Sequence, residues 1–493
     1  MFSALVWRTP AQRIAGLLVG MLFVLGGQLL LPGSAHALIQ TGTPWPDGRV
    51  PVCWRSDADD HDYHASNAAV VRDAVENQWG RVANLTFVGW GICPGAELNE
   101  PAGTVVIHWE DDDVNKGSKA DVGYYPDKRT FVRLAPMGAP TSTGPRTEAQ
   151  FRSDVLHEFG HALGFWHEHN HPERNGQAPG ICAGDPATNA TVLTPFDVTS
   201  IMAWTYCYYP PANPGPAAIS PWDIVGVQRL YGRKPAGSVV GLGNSCLDVP
   251  KASTTIGIDL QVFNCHGDDN QRWDYRPDRT FRATIAGQPR CADVAGGTVS
   301  STSGTVLQSQ VCDGTSSQQF SFAGVELRGI GDKCVDVPSA NYATGQYVQL
   351  FDCQGSGNQH WHLLGNSIKS TVSNYCLDVP GGSAVVGRLL QLAPCTYGAS
   401  QQFTLTDAGQ IQFGGLCVDS QGGAPVNGAR LQLYSCKSGT WEMRNQVWHL
   451  TGAIRGLGGQ CLDIKGGLGI DRAKVQLYPC TGNPNQRWDY YFD

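Results

Sequence analysis

Positive charge is in short supply in this chain of 493 residues: 35 Lys and Arg stand against 43 Asp and Glu, a formal net charge of −8. No basic run exists for a polyanion to rest on, which sets nucleic acid aside as a partner. Long apolar stretches are almost missing too. The one exception, Ile14 to Leu31, follows Arg8 and Arg13 and precedes Ala35-His36-Ala37. That is the order of a secretory signal, so residues 1–37 are read as one, and no membrane anchor remains after its removal. Methionine is scarce, with five in the whole chain, so each position invites a reason. Cysteine is not scarce: sixteen, an even number, fit a disulfide framework and a secreted, extracellular destination.

The densest chemistry lies in His157-Glu158-Phe159-Gly160-His161-Ala162-Leu163-Gly164-Phe165-Trp166-His167. On a helix, His157 and His161 share a face and can reach one cation. Glu158 stands beside them, where a general base belongs. Gly164 lets the chain turn back and bring His167 up as a third ligand. Three protein ligands leave a fourth zinc position open, the mark of a catalytic site. The pattern points to one zinc ion and hydrolysis of a protein or peptide substrate.

The motif resembles that of the metzincins, whose second mark is a methionine turn; Ser200-Ile201-Met202-Ala203-Trp204 fits it, with Met202 as the turn residue. The continuation His167-Glu168-His169-Asn170-His171-Pro172-Glu173-Arg174 resembles the astacin branch, as do stretches between residues 45 and 233. The resemblance implies a mixed α/β peptidase domain over residues 38–233. Strands are expected near 49–54, 85–89, 104–109 and 130–134, with helices over 64–82 and 148–163. Thr147 and Gln150 form a capping box for the second helix. Astacins carry a tyrosine two residues past the methionine that stabilises the transition state. Trp204 stands there, so Tyr206 is the candidate for that role. Glu168 is expected as a salt-bridge partner, His169 and His171 as exposed loop residues, and Phe131–Leu134 as the strand that an extended substrate pairs with.

The second half repeats. Six units begin Cys-x-Asp, at Cys246, Cys291, Cys334, Cys376, Cys417 and Cys461, 41 to 45 residues apart. Each holds a second cysteine and ends in Gln-x-aromatic. The low helix signal and Gly-rich turns indicate β structure. Cys-x-Asp with Gln-x-Trp resembles the ricin-type lectin repeat (carbohydrate-binding module family 13). Three such repeats make a β-trefoil, so six imply two in tandem, 241–365 and 366–493, joined to the peptidase by a pliable linker at 234–240.

Within each unit the cysteines lie 19 residues apart, 21 in the second. This spacing suits Cys246–Cys265, Cys291–Cys312, Cys334–Cys353, Cys376–Cys395, Cys417–Cys436 and Cys461–Cys480, each worth about 3 kcal/mol in the chain-entropy model. Chain order pairs the remaining four as Cys53–Cys93 and Cys182–Cys207. Sugar recognition requires a carboxylate and an amide for hydroxyls, and an aromatic face for the ring. Repeat one offers Asp248, Gln261, Phe263 and Asn270; repeat three Asp336, Gln349, Phe351 and Asn358. Repeat five offers Asp419, Gln432, Tyr434 and Asn445, and repeat six Asp463, Gln476, Tyr478 and Asn485. Repeats two and four lose aromatic and Asn together, with Gln310 or Ala393 and Ser317 or Ser400.

The expectation is a multidomain protein, an α+β metzincin domain followed by two all-β trefoils. Its reading is a secreted, monomeric zinc endopeptidase targeted to glycoproteins or polysaccharide. The alternative is a secreted lectin whose metalloprotease-like half is inert or latent.

Overall fold

In the N-terminal half, apolar runs bounded by turns form a five-stranded sheet. Its strands are β1 (Arg49–Trp54), β2 (Thr86–Ile92), β3 (Val105–Trp109), β4 (Lys119–Ala120) and β5 (Thr130–Leu134), in spatial order β2-β1-β3-β5-β4. All neighbours are parallel except β5 and β4, which are antiparallel. The computed structural model describes residues 38–55, 65–94, 101–109, 118–141, 144–172, 174, 187, 189–203, 216–300, 304–439 and 441–492. The expected signal at 1–37, together with Trp204, Tyr206, Cys182 and Cys207, lies outside them.

Helices α1 (Ala65–Val75) and α2 (Glu148–Ala162) join the sheet around one core that includes Trp79, Phe87, Phe151 and Phe159. α1 continues through a π-type turn, Glu76–Gly80. The capping box forms: Gln150 N–H donates to Thr147 Oγ1 at 3.3 Å, and Thr147 N–H to Gln150 Oε1 at 2.8 Å. Helix α3 (Pro221–Tyr231) opens with a second box, Ser220 with Asp223.

One expectation fails at the sheet edge. β5 is paired on both sides, by β3 through Val105↔Thr130 to Trp109↔Leu134 and by β4 through Lys119↔Arg133. Its backbone groups are spent, so Phe131–Leu134 cannot take a further strand. Among the described residues β4 is the edge on this side, and β2 the edge on the other.

In the second half each repeat is a set of short strands around a buried aromatic. The indole N–H groups of Trp273, Trp361, Trp448 and Trp488 donate to the main-chain oxygens of Leu247, Val335, Val418 and Leu462, the middle residues of Cys-x-Asp. Cys-x-Asp and Gln-x-Trp are thus two sides of one contact. Phe320 and Phe403 fill the place without that bond in repeats two and four.

The repeats do not group as the sequence order suggests. Repeat one pairs with repeat two (Asp274↔Arg282, Ile258↔Ser309), repeat two with repeat six (Phe322↔Ile454, Val306↔Gln476) and repeat six with repeat one (Val239↔Tyr490). Repeats three, four and five close on one another through Trp361↔Ser370, Thr404↔Gln412 and Leu327↔Leu450. The ring of three, four and five is inserted between repeats two and six, so the expected cut at 365 divides a closed ring. The chain enters and leaves along Ser321–Arg328 and His449–Gly452, which pair with each other. Periodicity identifies the units but cannot say which three close together, because all six carry the same landmarks.

The linker is not pliable. Lys234 is buried and donates to the Leu85 carbonyl at 2.8 Å. Gly237 N–H donates to Tyr491 O at 2.7 Å, and Val239 and Val240 join the sheet opposite Tyr490 and Asp489. Val225 of α3 packs into the core of the repeats. Thr86 Oγ1 donates to Cys265 O at 2.8 Å and Asn244 Nδ2 to Leu85 O at 2.9 Å, across the boundary between the halves.

Candidate metal centre and sugar pockets

Helix α2 presents His157 and His161 one turn apart, and the chain leaves it at Gly164, whose φ of +100° favours glycine. Gly164 N–H donates to His161 O at 2.7 Å, and the reversed chain brings His167 back. The three rings lie 4.6 to 5.3 Å apart between centroids, and one nitrogen from each falls within 4.8 Å of the others. Two rings are fixed from behind: His157 Nδ1 lies 2.8 Å from Ile201 O and His161 Nδ1 2.8 Å from Phe165 O. Each Nδ1 must carry the proton to donate, which leaves each Nε2 as a lone pair. His161 Nε2 and His167 Nε2 stand 3.1 Å apart. Two ring nitrogens at that separation suit a shared cation.

Electrostatics keep these rings neutral. Burial lowers the pKa of His157; burial and then His157 bring His161 down to about 3; burial and the neighbouring histidines lower His167. Glu158, 5 % exposed, has an Oε2 without a hydrogen-bond partner among the described residues. Burial pushes its pKa up to about 8, against the opposing pull of Arg146. A neutral imidazole set with an adjacent, proton-hungry carboxylate fits a divalent cation such as zinc.

Met202 is fully buried beneath α2. A Cβ on Gly160 would come within 2.3 Å of its sulfur, so the glycine inside the motif makes room for the methionine. The turn is held by Asp223, which accepts from Ser200 Oγ at 2.6 Å, Ile201 N–H at 2.8 Å and Ser220 N–H at 2.8 Å. Since Ile201 O receives His157, Asp223 positions a histidine through one residue. Sequence reading missed Asp223; its signal was the Ser220-x-x-Asp223 capping spacing.

Glu168 is fully buried and accepts the Asp197 main-chain N–H at 2.7 Å; among the described residues no side-chain ion pair to it is found, and the Leu38 backbone amide works to lower its pKa. His169 and His171 are buried as well, not exposed. His169 stacks on His167 at 4.8 Å, and His171 Nε2 lies 3.3 Å from Thr194 O.

In the repeats, strand register assembles the polar cluster. Asp248 faces Gln261, and Cys246 faces Phe263, so alternate residues of both strands share one surface. The same register gives Asp336↔Gln349 with Cys334↔Phe351, Asp419↔Gln432 with Cys417↔Tyr434, and Asp463↔Gln476 with Cys461↔Tyr478. Each Asp accepts from its Gln at 2.8 to 3.0 Å. Asn270, Asn358, Asn445 and Asn485 add bonds of 2.6 to 2.8 Å. Repeats two and four keep the same geometry, with Ser317 on Asp293 at 3.1 Å and Ser400 on Asp378 at 2.8 Å. The Asp–Gln pair is therefore scaffold in all six; what four repeats add is the Asn amide and the aromatic. The glutamine of Gln-x-aromatic also reaches the Asp, as Gln271, Gln359, Gln401, Gln446 and Gln486 do.

Seven disulfides are present among the described residues: Cys53–Cys93 and one in each repeat.

Known proteins resemble parts of this chain. A 123-residue segment is 37 % identical to Serine protease 1 of Rarobacter faecitabidus, covering 25 % of this chain and 22 % of that protein, so the chain spans about a fifth of that relative. The fold is similar to high choriolytic enzyme 1, a hatching enzyme zinc-protease from Oryzias latipes, at 17 % identity and a TM-score of 0.26, over 38 % of this chain and 90 % of that one. It is also similar to a non-toxic homologue of type II RIPs from Momordica charantia in complex with α-methyl-D-galactoside, at 18 % identity and a TM-score of 0.23, over 43 % and 95 %. The family model for the ricin-type beta-trefoil lectin domain matches residues 235–361, 287–384 and 364–488, together just over half of the chain. By that span the chain belongs to the ricin-type β-trefoil lectin family.

Proposed function

We propose that this chain is a secreted zinc endopeptidase of the metzincin type, carried on trefoils that bind carbohydrate on glycoproteins or polysaccharide. One observation carries the peptidase reading: three imidazoles converge on a single point, two of them with their far nitrogens fixed, and Glu158 follows the first in the chain. His157, His161 and His167 would hold the ion. A bound zinc would supply Lewis acidity, bringing a water into reach of deprotonation near neutral pH and polarising the scissile carbonyl.

The chain's own residues do the rest. Glu158 takes the proton from the attacking water and delivers it to the leaving amine, a task suited to a carboxylate whose pKa is raised to about 8. Asp223 holds the turn whose Ile201 carbonyl orients His157, and Met202 packs against Gly160 beneath α2. An extended substrate would lie along Lys119–Ala120, the edge β5 does not offer; Gly123 N–H, just beyond it, donates to His161 O at 3.0 Å. The disulfides fit an oxidising, extracellular destination.

Stripping metal with a chelator should abolish casein hydrolysis, and zinc should restore it. Hydrolysis that survives complete metal removal would end this reading. The second reading, a lectin with an inert peptidase half, draws on Trp204, which has no oxygen to offer where similar enzymes carry tyrosine. It predicts metal uptake without hydrolysis.

A further inference from the structure

The residue after the second cysteine emerges at the same place in every repeat, because its N–H donates to the glutamine of Gln-x-aromatic. His266, Asp313, Gln354, Thr396, Lys437 and Thr481 all make this bond, at 2.7 to 2.9 Å. In repeat one the side chain there is His266, whose Nε2 lies 3.7 Å from Asp248 Oδ2. In repeat five it is Lys437, and it changes the pocket's chemistry.

Asp248, Asp336 and Asp463 each accept three protein hydrogen bonds, from two glutamines and an asparagine. A carboxylate has about four acceptor positions, so each keeps one for a sugar hydroxyl. Asp419 takes the same three from Gln432, Asn445 and Gln446, and a fourth from Lys437 Nζ at 3.2 Å. The ammonium also donates to Asn445 Oδ1 at 2.8 Å, using the amide oxygen a hydroxyl would seek. Lys437 Nζ lies over the Tyr434 ring, 5.5 Å from its centroid, and Tyr434 is 40 % exposed. Two of the ammonium's three N–H groups are engaged and the third is available. Repeats three and six carry one uncompensated carboxylate; in repeat five that charge is cancelled.

Resting on the carbohydrate reading above, we propose that the repeat-five pocket selects an acidic sugar, one bearing a carboxylate or a sulfate. Tyr434 stacks the ring and Lys437 donates to the anionic group. Repeats three and six, whose carboxylates still accept, take neutral sugars by the same logic.

Titration calorimetry on the full chain tests this with three probes: trigalacturonic acid, a sulfated galactose trimer and neutral galactotriose. Lys437→Gln should weaken the acidic trimers at least tenfold and leave the neutral trimer bound, which also shows that the variant is folded. Lys437→Arg should keep the acidic trimer, and comparison of the two anions identifies the preferred group. Equal binding of the acidic trimers by wild type and Lys437→Gln would overturn the proposal, as would a wild type that binds only the neutral trimer. If no probe binds at all, the carbohydrate reading itself fails.

Discussion

The guanidinium of Arg81, in the N-terminal domain, grips both carboxylate oxygens of Asp489, 408 residues further along the chain. Asp489 also accepts from Thr451 at 2.6 Å, so the ion pair fastens the N-terminal half to the ring that repeat six closes. Removing one partner of a pair this buried costs about 3 kcal/mol or more. Arg81→Met should therefore lower stability by that order in urea unfolding. Deleting residues 235–493 should leave an N-terminal domain that does not fold, since Lys234 and Val225 lose their surroundings too. A soluble, fully active truncation would show that the interface is dispensable.

The metal site should resist acid better than free imidazole. Protons and metal compete for the same Nε2 lone pairs, so acid favours release. The sequence alone sets the loss of activity below about pH 5–6. Burial holds His161 down to about 3 and lowers His157 and His167, so metal should persist below that range. For the metal-free protein the same shifts favour the neutral folded form. Its stability is fully present above 6.5 and declines as pH falls toward 3. Metal content after dialysis across this range checks the first point, and urea unfolding of the apo-protein the second.

Gly160→Ala should damage the site without touching a ligand. Its new methyl would meet the Met202 sulfur, and overpacking of this kind costs about 1–3 kcal/mol. Hydrolysis and zinc retention should fall together, and Met202→Ala in the same chain should restore part of the lost stability. A Gly160→Ala protein with the wild-type melting temperature would deny Met202 its place under the helix.

Glu168 accepts from Asp197 N–H, the Leu38 backbone amide works to lower its pKa, and Leu38 is the residue that follows the expected cleavage at Ala37. Cleavage there would turn the Leu38 amide into an ammonium beside a fully buried carboxylate. N-terminal sequencing of the secreted protein should begin at Leu38, and Glu168→Gln should lower its melting temperature. An N-terminus several residues away would break this link.

Much of the site was legible because its spacing is local: His157, Glu158, His161 and His167 lie on one helix and the turn after it. The four main strands were legible because parallel strands read as unbroken apolar runs, as Val105, Val106 and Ile107 do. The rest depends on contacts between distant segments. Nothing near Phe131 announces that Lys119–Ala120 covers it, and nothing in the linker announces that Lys234 is buried. The nested grouping of the repeats was hidden for a different reason. Six interchangeable units fit several closures, and the choice rests on which strand meets Val239, a residue paired with Tyr490.

The most direct measurement is zinc content and casein hydrolysis on wild type and Glu158→Gln together. One zinc per chain in both, with hydrolysis lost by several orders of magnitude in the variant alone, is the expected result. Substantial turnover by Glu158→Gln, or a wild type that holds no zinc, would contradict the account at its centre.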